Sequence, residues 1–434
     1  MTTIFHGIKA ITDRQKSANY RMDPMSFVEM MRERGLVAQI THEPEFAQHC
    51  KSGTRTAYIG FDPTADSLHV GHLTQVMTLS RWQKAGHRVI AVMGGGTAMV
   101  GDPTGKTEMR QILTQEQIDY NISRFKAQVQ PLLDFSDPRR GVIVNNADWL
   151  LPLNYLEFLR GVGRHFSVNR MLSAECFKSR MEKGLSFLEF NYMLLQSYDF
   201  AHLFKHEDCS VQLGGDDQWS NILAGVELIH RMHQKQAYCM TTPLLATSDG
   251  RKMGKTEKGA VWIDPDKTSP YEYFQFWRNI PDDTVSQCLR VFTYLSIDEV
   301  KRLEALAGSE VNQAKIRLAF EATKIMHGEA AASEAQKSAE ALFSGAGSAG
   351  GNEPEVFLDR SLFSSPAPIQ EVLVTAGIFA SKGEARRMIE QGGIAINDKI
   401  VNDFKHLMKT DDFDLESGCL VRKGKKHYYR LRIR

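Results

Sequence analysis

The stretch Tyr58-Ile-Gly-Phe-Asp-Pro-Thr-Ala-Asp-Ser-Leu-His-Val-Gly-His72 decides the fold. It runs from a β-branched and aromatic strand through a short polar loop into a helix opening near His69. Two histidines with a glycine between them then lie at a helix N-terminus, where unbonded N–H groups and the helix dipole favour an anion. Thr56–Phe61 reads as the strand, and Gly71–Ala85 as the helix, with Val76, Leu79 and Trp82 on its apolar face. Downstream the alternation continues. Arg88–Met93 is a buried-type strand, 115–132 a helix, Val142–Asn145 a short strand and Val211–Gly214 another. Such alternation over 54–247 predicts a doubly wound α/β domain with a parallel sheet, whose ligands bind beyond the carboxyl ends of the strands.

About 180 residues after the histidines comes Lys252-Met-Gly-Lys-Thr256, a glycine-containing loop whose two lysines can reach phosphates. A histidine pair alone is weak evidence; the pair followed by this loop is hard to obtain by chance. Two glycine-rich neighbours point elsewhere and fail on spacing. Gly94-Gly95-Gly96 follows a strand, but Met99 stands where a dinucleotide fingerprint needs its last glycine. Gly101-Asp-Pro-Thr-Gly-Lys-Thr107 has three residues between its glycines where a P-loop has four.

From Pro270 the pattern turns helical, with apolar residues at helical spacing in Tyr271–Trp277, Ile297–Ala305 and Val311–Met326. Ser344-Gly-Ala-Gly-Ser-Ala-Gly-Gly351 reads as a flexible linker. Beyond it, Ser381 can cap a helix carrying Arg386 and Arg387, ended by Gly392-Gly393 before a strand. The expected organisation is an extension at 1–26, an α/β domain at 27–247, the loop and a helical domain at 248–343, a linker at 344–365 and a small α+β domain at 366–434. A start at Met25 or a disordered extension accounts for the first residues better than a transit peptide.

The 434 residues carry a formal net charge of +1, so bulk charge does not announce a nucleic-acid binder. Its distribution does more: Leu420–Arg434 holds seven Lys/Arg and no acid, among them Arg422, Lys423, Lys425 and Lys426. The six cysteines are scattered outside zinc-ligand spacing and suit a reducing, cytoplasmic setting with no structural metal. No apolar run approaches a membrane span.

With these residues in view, the chain resembles the bacterial tyrosyl-tRNA synthetases, which are class I aminoacyl-tRNA synthetases, from about Phe27 to its end. His69-Val-Gly-His72 matches the family's His-Ile-Gly-His signature, and Lys252-Met-Gly-Lys-Thr256 its Lys-Met-Ser-Lys-Ser signature. The 381–397 segment is similar to a small RNA-binding domain shared with a ribosomal protein; a protein-docking module is the competing reading.

The resemblance implies tyrosine–tRNA ligation. L-tyrosine and ATP, with Mg2+ on its phosphates, give tyrosyl-adenylate and pyrophosphate; the acyl group then passes to tRNA(Tyr). No protein-bound metal or organic cofactor is expected. It further implies that Thr64 and His69 meet the terminal phosphate, with His72 nearer the ribose. Lys252, Lys255 and Thr256 belong to a pyrophosphate clamp, and Lys106 and Arg110 to a second cationic loop, for which a solvated face is the alternative. Gly60, Asp62, Gly71 and Asp217 join the ATP site. Tyr58 and Asp199 would select the phenol hydroxyl, while Asp102, Tyr192, Gln196 and Gln218 hold the amino acid's charged groups. RNA contacts would fall to Arg386, Arg387 and the basic run. Ile59 replaces a thiol common in relatives, and the side to which Asp216 points stays open. A homodimer is implied, with 125–135 and 150–166 as interface surface. The competing functions are a tryptophan-specific class I synthetase and an inert RNA-binding paralogue, which should have lost signature histidines or lysines.

Overall fold

A computed structural model describes residues 26–102, 114–182, 184–245, 255–256, 259–343, 354–414, 418–424 and 427–434. Most of the 1–26 extension, the 344–351 linker, Lys106, Arg110, Lys252, Lys425 and Lys426 lie outside the described residues. The contacts divide the chain into two compact units. The first holds the residues up to Thr268 together with Arg278–Met326; the second holds Ser269–Trp277 and His327–Arg434.

The first unit is built on a six-stranded sheet: β1 (Gln39–Ile40), β2 (Thr56–Phe61), β3 (Arg88–Met93), β4 (Gly141–Asn145), β5 (Cys209–Gly215) and β6 (Tyr238–Thr242). Their order is β1-β6-β5-β2-β3-β4. Five strands run parallel, as their continuous apolar character predicts. The sixth is a correction to the all-parallel expectation: β1 pairs antiparallel to β6 at the edge. Two residues are too few to leave a period-2 signal in the sequence. From β2 the chain winds outward through β3 and β4, then returns to lay β5 and β6 on the other side. The switch point lies between β2 and β5, and Asp62–His72 and Asp216–Gln218 leave the ends of those two strands.

The helix Val70–Lys84 follows β2 and is buried along nearly its whole length, with Trp82 at its far end. The helix Phe187–Glu207 begins in a capping box of Ser186 and Glu189 and packs with Trp219–His233 against β5. Two buried arginines tie a later helix, Val285–Phe292, to this half. Arg81 donates to the carbonyls of Arg290 (3.1 Å), Val291 (2.6 Å) and Thr293 (2.9 Å). Arg34 donates to those of Arg290 (3.0 Å), Thr293 and Leu295. These are carbonyls at and after a helix C-terminus, where a cation is favoured. Burial still pulls the Arg81 guanidinium down to about 9.

In the second unit Tyr273 meets His327 edge-on at 4.9 Å. Its C-terminal part is an α+β fold. β9 (Glu355–Leu358), β11 (Ile394–Ile396), β12 (Lys399–Ile400), β14 (Cys419–Lys423) and β15 (His427–Ile433) form a sheet ordered β12-β11-β14-β15-β9; β10 (Ala367–Pro368) pairs with β13 (Leu407–Met408). Ser381 caps the helix Lys382–Glu390 by accepting from the Glu384 N–H at 3.2 Å. Among the described residues no helix is long and apolar enough to cross a membrane.

Candidate active site

The histidine turn is ordered by its own side chains. His69 is the N-cap of Val70–Lys84; its Nδ1 accepts from the Gly71 N–H at 3.0 Å, and the His72 Nδ1 accepts from the His69 N–H at 3.3 Å. The rings lie 3.9 Å apart. A ring nitrogen that accepts carries no proton, so each neutral imidazole bears its N–H on Nε2. The pair is thereby set to donate. Thr64 is exposed on the loop before it.

The segment that follows the second signature meets the first through the main chain. β7 (Lys255–Thr256) and β8 (Gly259–Ala260) form a hairpin. The strand leaving it zips onto the histidine turn: Val70 N–H donates to Val261 (3.0 Å), and Ile263 N–H to Leu68 (2.9 Å). Trp262 bridges His69, with the rings 6.1 Å apart. Asp264, buried, accepts from Arg124, and Lys267 lies 5.1 Å over the Trp262 ring while pairing with Asp66. The stretch that follows the second motif thus lies against the histidine turn.

At the switch point Asp102 accepts from the Gln218 Nε2 at 2.8 Å, and Gln218 accepts in turn from Asn221. Asp217 sits beside Gly215, where a Cβ would come within 2.9 Å of its carboxylate. Gly60 and Gly71 lie at the end of β2 and in the first turn of the helix. Asp62 accepts from Thr97 at 3.3 Å. The glycine run is explained here. A Cβ on Gly94 would meet Asp62 at 2.5 Å and one on Gly95 would meet Asn145 at 2.2 Å, so Gly94–Gly96 permit close approach. Asp216 accepts from Gln39 and Thr241, both at 2.8 Å, and is tied into the β1–β6 edge.

Deeper lies a cluster of polar side chains. Tyr192, Gln196 and Asp199 follow one face of Phe187–Glu207, Tyr192 and Asp199 being buried. Asp199 accepts from Asn146 Nδ2 at 2.9 Å and Trp149 Nε1 at 2.7 Å. Burial pushes its carboxyl up to about 7, against the pull of these two donors; the nearby Asp62 raises it further. Tyr58 is buried, its phenol pushed well up by burial and by Asp199, and its hydroxyl has no partner among the described residues. The same holds for the amide oxygens of Gln212, in register with Tyr58, and Gln75. Buried polar atoms without partners are rare in folded chains, and here three flank β2 and β5.

Asn146, Trp149, Gln75 and Gln212 are not singled out by sequence. Asn146 leaves one trace: an Asn between a strand and a helix should cap, yet it makes no side-chain capping bond and turns its amide to Thr97 and Asp199.

In the C-terminal domain Arg387 is exposed. Arg386 lies 4.0 Å over the Phe404 ring and pairs with Glu390. Lys423 donates to the Ile378 carbonyl at 2.8 Å beside the Phe379 ring, and Arg422 is half-buried.

Comparison with known proteins bears on both units. The family model described as tRNA synthetases class I (W and Y) matches residues 51–344, and that of the Tyrosine--tRNA ligase SYY-like C-terminal domain matches 359–431. The Tyrosine--tRNA ligase of Clostridium botulinum (strain 657 / Type Ba4) is 55% identical over 403 residues, 93% of this chain and 98% of that protein. That of Caldanaerobacter subterraneus subsp. tengcongensis is 54% identical over 410 residues, 94% and 100% of the two chains. Among solved structures, a C-terminally truncated mitochondrial tyrosyl-tRNA synthetase of Aspergillus nidulans has a TM-score of 0.65 at 31% identity, over 73% of this chain and 94% of that one. Matches of this extent and identity place the chain in the class I aminoacyl-tRNA synthetase family, among the tyrosine–tRNA ligases.

Proposed function

We propose that the β2/β5 switch point carries out tyrosine activation by ATP and that the product is passed to tRNA(Tyr). The observation that carries this reading is the pair Tyr58 and Asp199. A hydroxyl both donates and accepts, and so can bond a carboxylate and a tyrosine hydroxyl together. The indole N–H of tryptophan only donates, and phenylalanine does neither. Tyr192, Gln196, Asp102 and Gln218 form the polar end that takes the amino acid's ammonium and carboxylate.

The tyrosine carboxylate attacks the α-phosphate, and pyrophosphate leaves. No covalent enzyme intermediate is required; the demand is for positioning and for neutralising charge on the leaving group. The Nε2–H groups of His69 and His72 donate to phosphate oxygens, with Thr64 alongside. Lys252 and Lys255 clamp the departing pyrophosphate, Lys106 and Arg110 supply a second cationic arm, and Asp217 takes the ribose. Mg2+ arrives on the ATP phosphates as part of the substrate. Both signature histidines and lysines are present, which argues against an inert paralogue.

The C-terminal domain grips the tRNA through Arg387, Arg386 and the basic run, largely by phosphate and shape. The enzyme works as a cytoplasmic homodimer. Leu151, Tyr155, Leu156, Phe187 and Leu188 are exposed, Leu156 at 67% and Phe187 at 70%. Solvent-facing groups of this kind suit a partner surface. The 125–135 segment fits that role poorly, because Phe125, Val129, Leu132 and Leu133 are buried in the protein's own core. Tyrosine-dependent ATP–pyrophosphate exchange, with tryptophan and phenylalanine as controls, tests the reading. Exchange with tryptophan equal to that with tyrosine would overturn it.

A further inference from the structure

The Asp199 carboxylate owes one of its two donors to Trp149, a half-buried side chain on the four-residue helix Ala147–Leu150. So short an element, uncapped by Asn146, does little to fix the plane of an indole. The plane is fixed from the other side. His202 lies flat against Trp149, ring centroids 4.5 Å apart and planes 14° from parallel. His206 backs His202 at 4.4 Å. Asp199 and His202 are three residues apart on one 21-residue helix and so share a face. One rigid element therefore presents both the acceptor for the indole N–H and the shelf for the indole face.

We propose that His202 is a positioning residue for tyrosine selection: its ring, stacked on Trp149, holds the indole N–H on the Asp199 carboxylate. An aliphatic side chain of similar bulk lacks the flat face, and the indole is then free to tilt away from Asp199. His202 is half-exposed, which suits an imidazole, whose edge can meet water while its face packs. The inference rests on the role given above to Asp199.

The test uses full-length His202→Leu, His202→Ala and His202→Phe, with Trp149→Phe and Asp199→Asn as references, in pyrophosphate exchange with tyrosine and with phenylalanine. His202→Leu and His202→Ala are expected to raise the tyrosine KM about two- to tenfold, the range an aromatic stack supplies, with kcat and the phenylalanine KM unchanged. His202→Phe restores the shelf and should keep the wild-type selectivity ratio. Trp149 emission, taken as the difference from Trp149→Phe, should shift to the red in the Leu and Ala variants alone. If Trp149→Phe leaves selectivity intact, the proposal falls while Asp199, still held by Asn146, keeps its role; if Asp199→Asn leaves selectivity intact, the reading of Asp199 falls and the proposal with it. If Trp149→Phe lowers selectivity while His202→Leu does not, or if His202→Phe is as impaired as His202→Leu, only the positioning role is overturned.

Discussion

Replacing Tyr58 with phenylalanine should move stability and selectivity in opposite directions. In the free protein the Tyr58 hydroxyl is buried, and no partner is described for it. Its ring packs on Phe200 at 5.4 Å, a contact that phenylalanine keeps. Leaving a buried hydroxyl unpaired costs ~1–3 kcal/mol, so its removal should stabilise the free enzyme by ~1 kcal/mol or more, about 1–2 °C in Tm per kcal/mol for a unit of this size. The tyrosine complex loses one neutral hydrogen bond, ~0.5–1.5 kcal/mol, or about two- to twelvefold in KM. Phenylalanine, which never made that bond, should lose nothing, so discrimination falls by the same factor. Thermal unfolding of the ligand-free protein and exchange kinetics with both amino acids provide the two readouts. A lower Tm would show that the hydroxyl is bonded in the free enzyme. An unchanged selectivity ratio would show that it does not face the substrate.

Lys255→Ala should depress the rate of adenylate formation severely with little change in the tyrosine KM, because its charge acts as pyrophosphate leaves; burst kinetics showing only a KM effect would refute that role. Asp199 gives a pH dependence of known sign. The unfolded carboxyl loses its proton near pH 4 and the folded one near 7, so between these values the unfolded chain binds fewer protons and stability falls as pH rises, by about 4 kcal/mol in all. Over the same range the tyrosine KM should rise as pH drops below about 7 while the phenylalanine KM stays flat; parallel profiles for both would remove Asp199 from the phenol site. Deleting 345–434 should preserve pyrophosphate exchange and abolish charging, and only the full chain should show a steep loss of tRNA affinity with salt. Leu156→Glu should shift the protein toward monomer in sedimentation equilibrium, and an unaltered dimer would move the interface elsewhere.

The strands β2 and β3 were legible residue for residue, because each is a β-branched, aromatic or aliphatic run cut off by polar or glycine residues. His69 as helix opener was legible for the same reason: the apolar helical period starts just after it. What the sequence could not show depends on distance along the chain. Asn146 and Trp149 bond to Asp199, some fifty residues away, and only the turn after β4 brings them to it. The glycine run 94–96 could be denied a nucleotide role by spacing, but its actual reason, the approach of Asp62 and Asn145, is visible only in three dimensions. Asp216, ambiguous in sequence, is turned to the sheet edge by β1, a strand of two residues and too short to be read.

The arginine clasp on Val285–Phe292 constrains how this chain can be made. Arg81 and Arg34 find their carbonyls 209 to 212 and 256 to 261 residues further on. At about 5–20 residues per second, a ribosome needs roughly 10–50 s to synthesise that interval. Throughout that time the nascent α/β half carries two guanidinium groups whose native burial cannot be completed. Until then the two guanidinium groups have only water for a partner at those positions. These bonds can form only after residues 290–295 have left the exit tunnel, so a product stalled before that point is expected to be more open to proteases around Arg34 and Arg81 than the full chain.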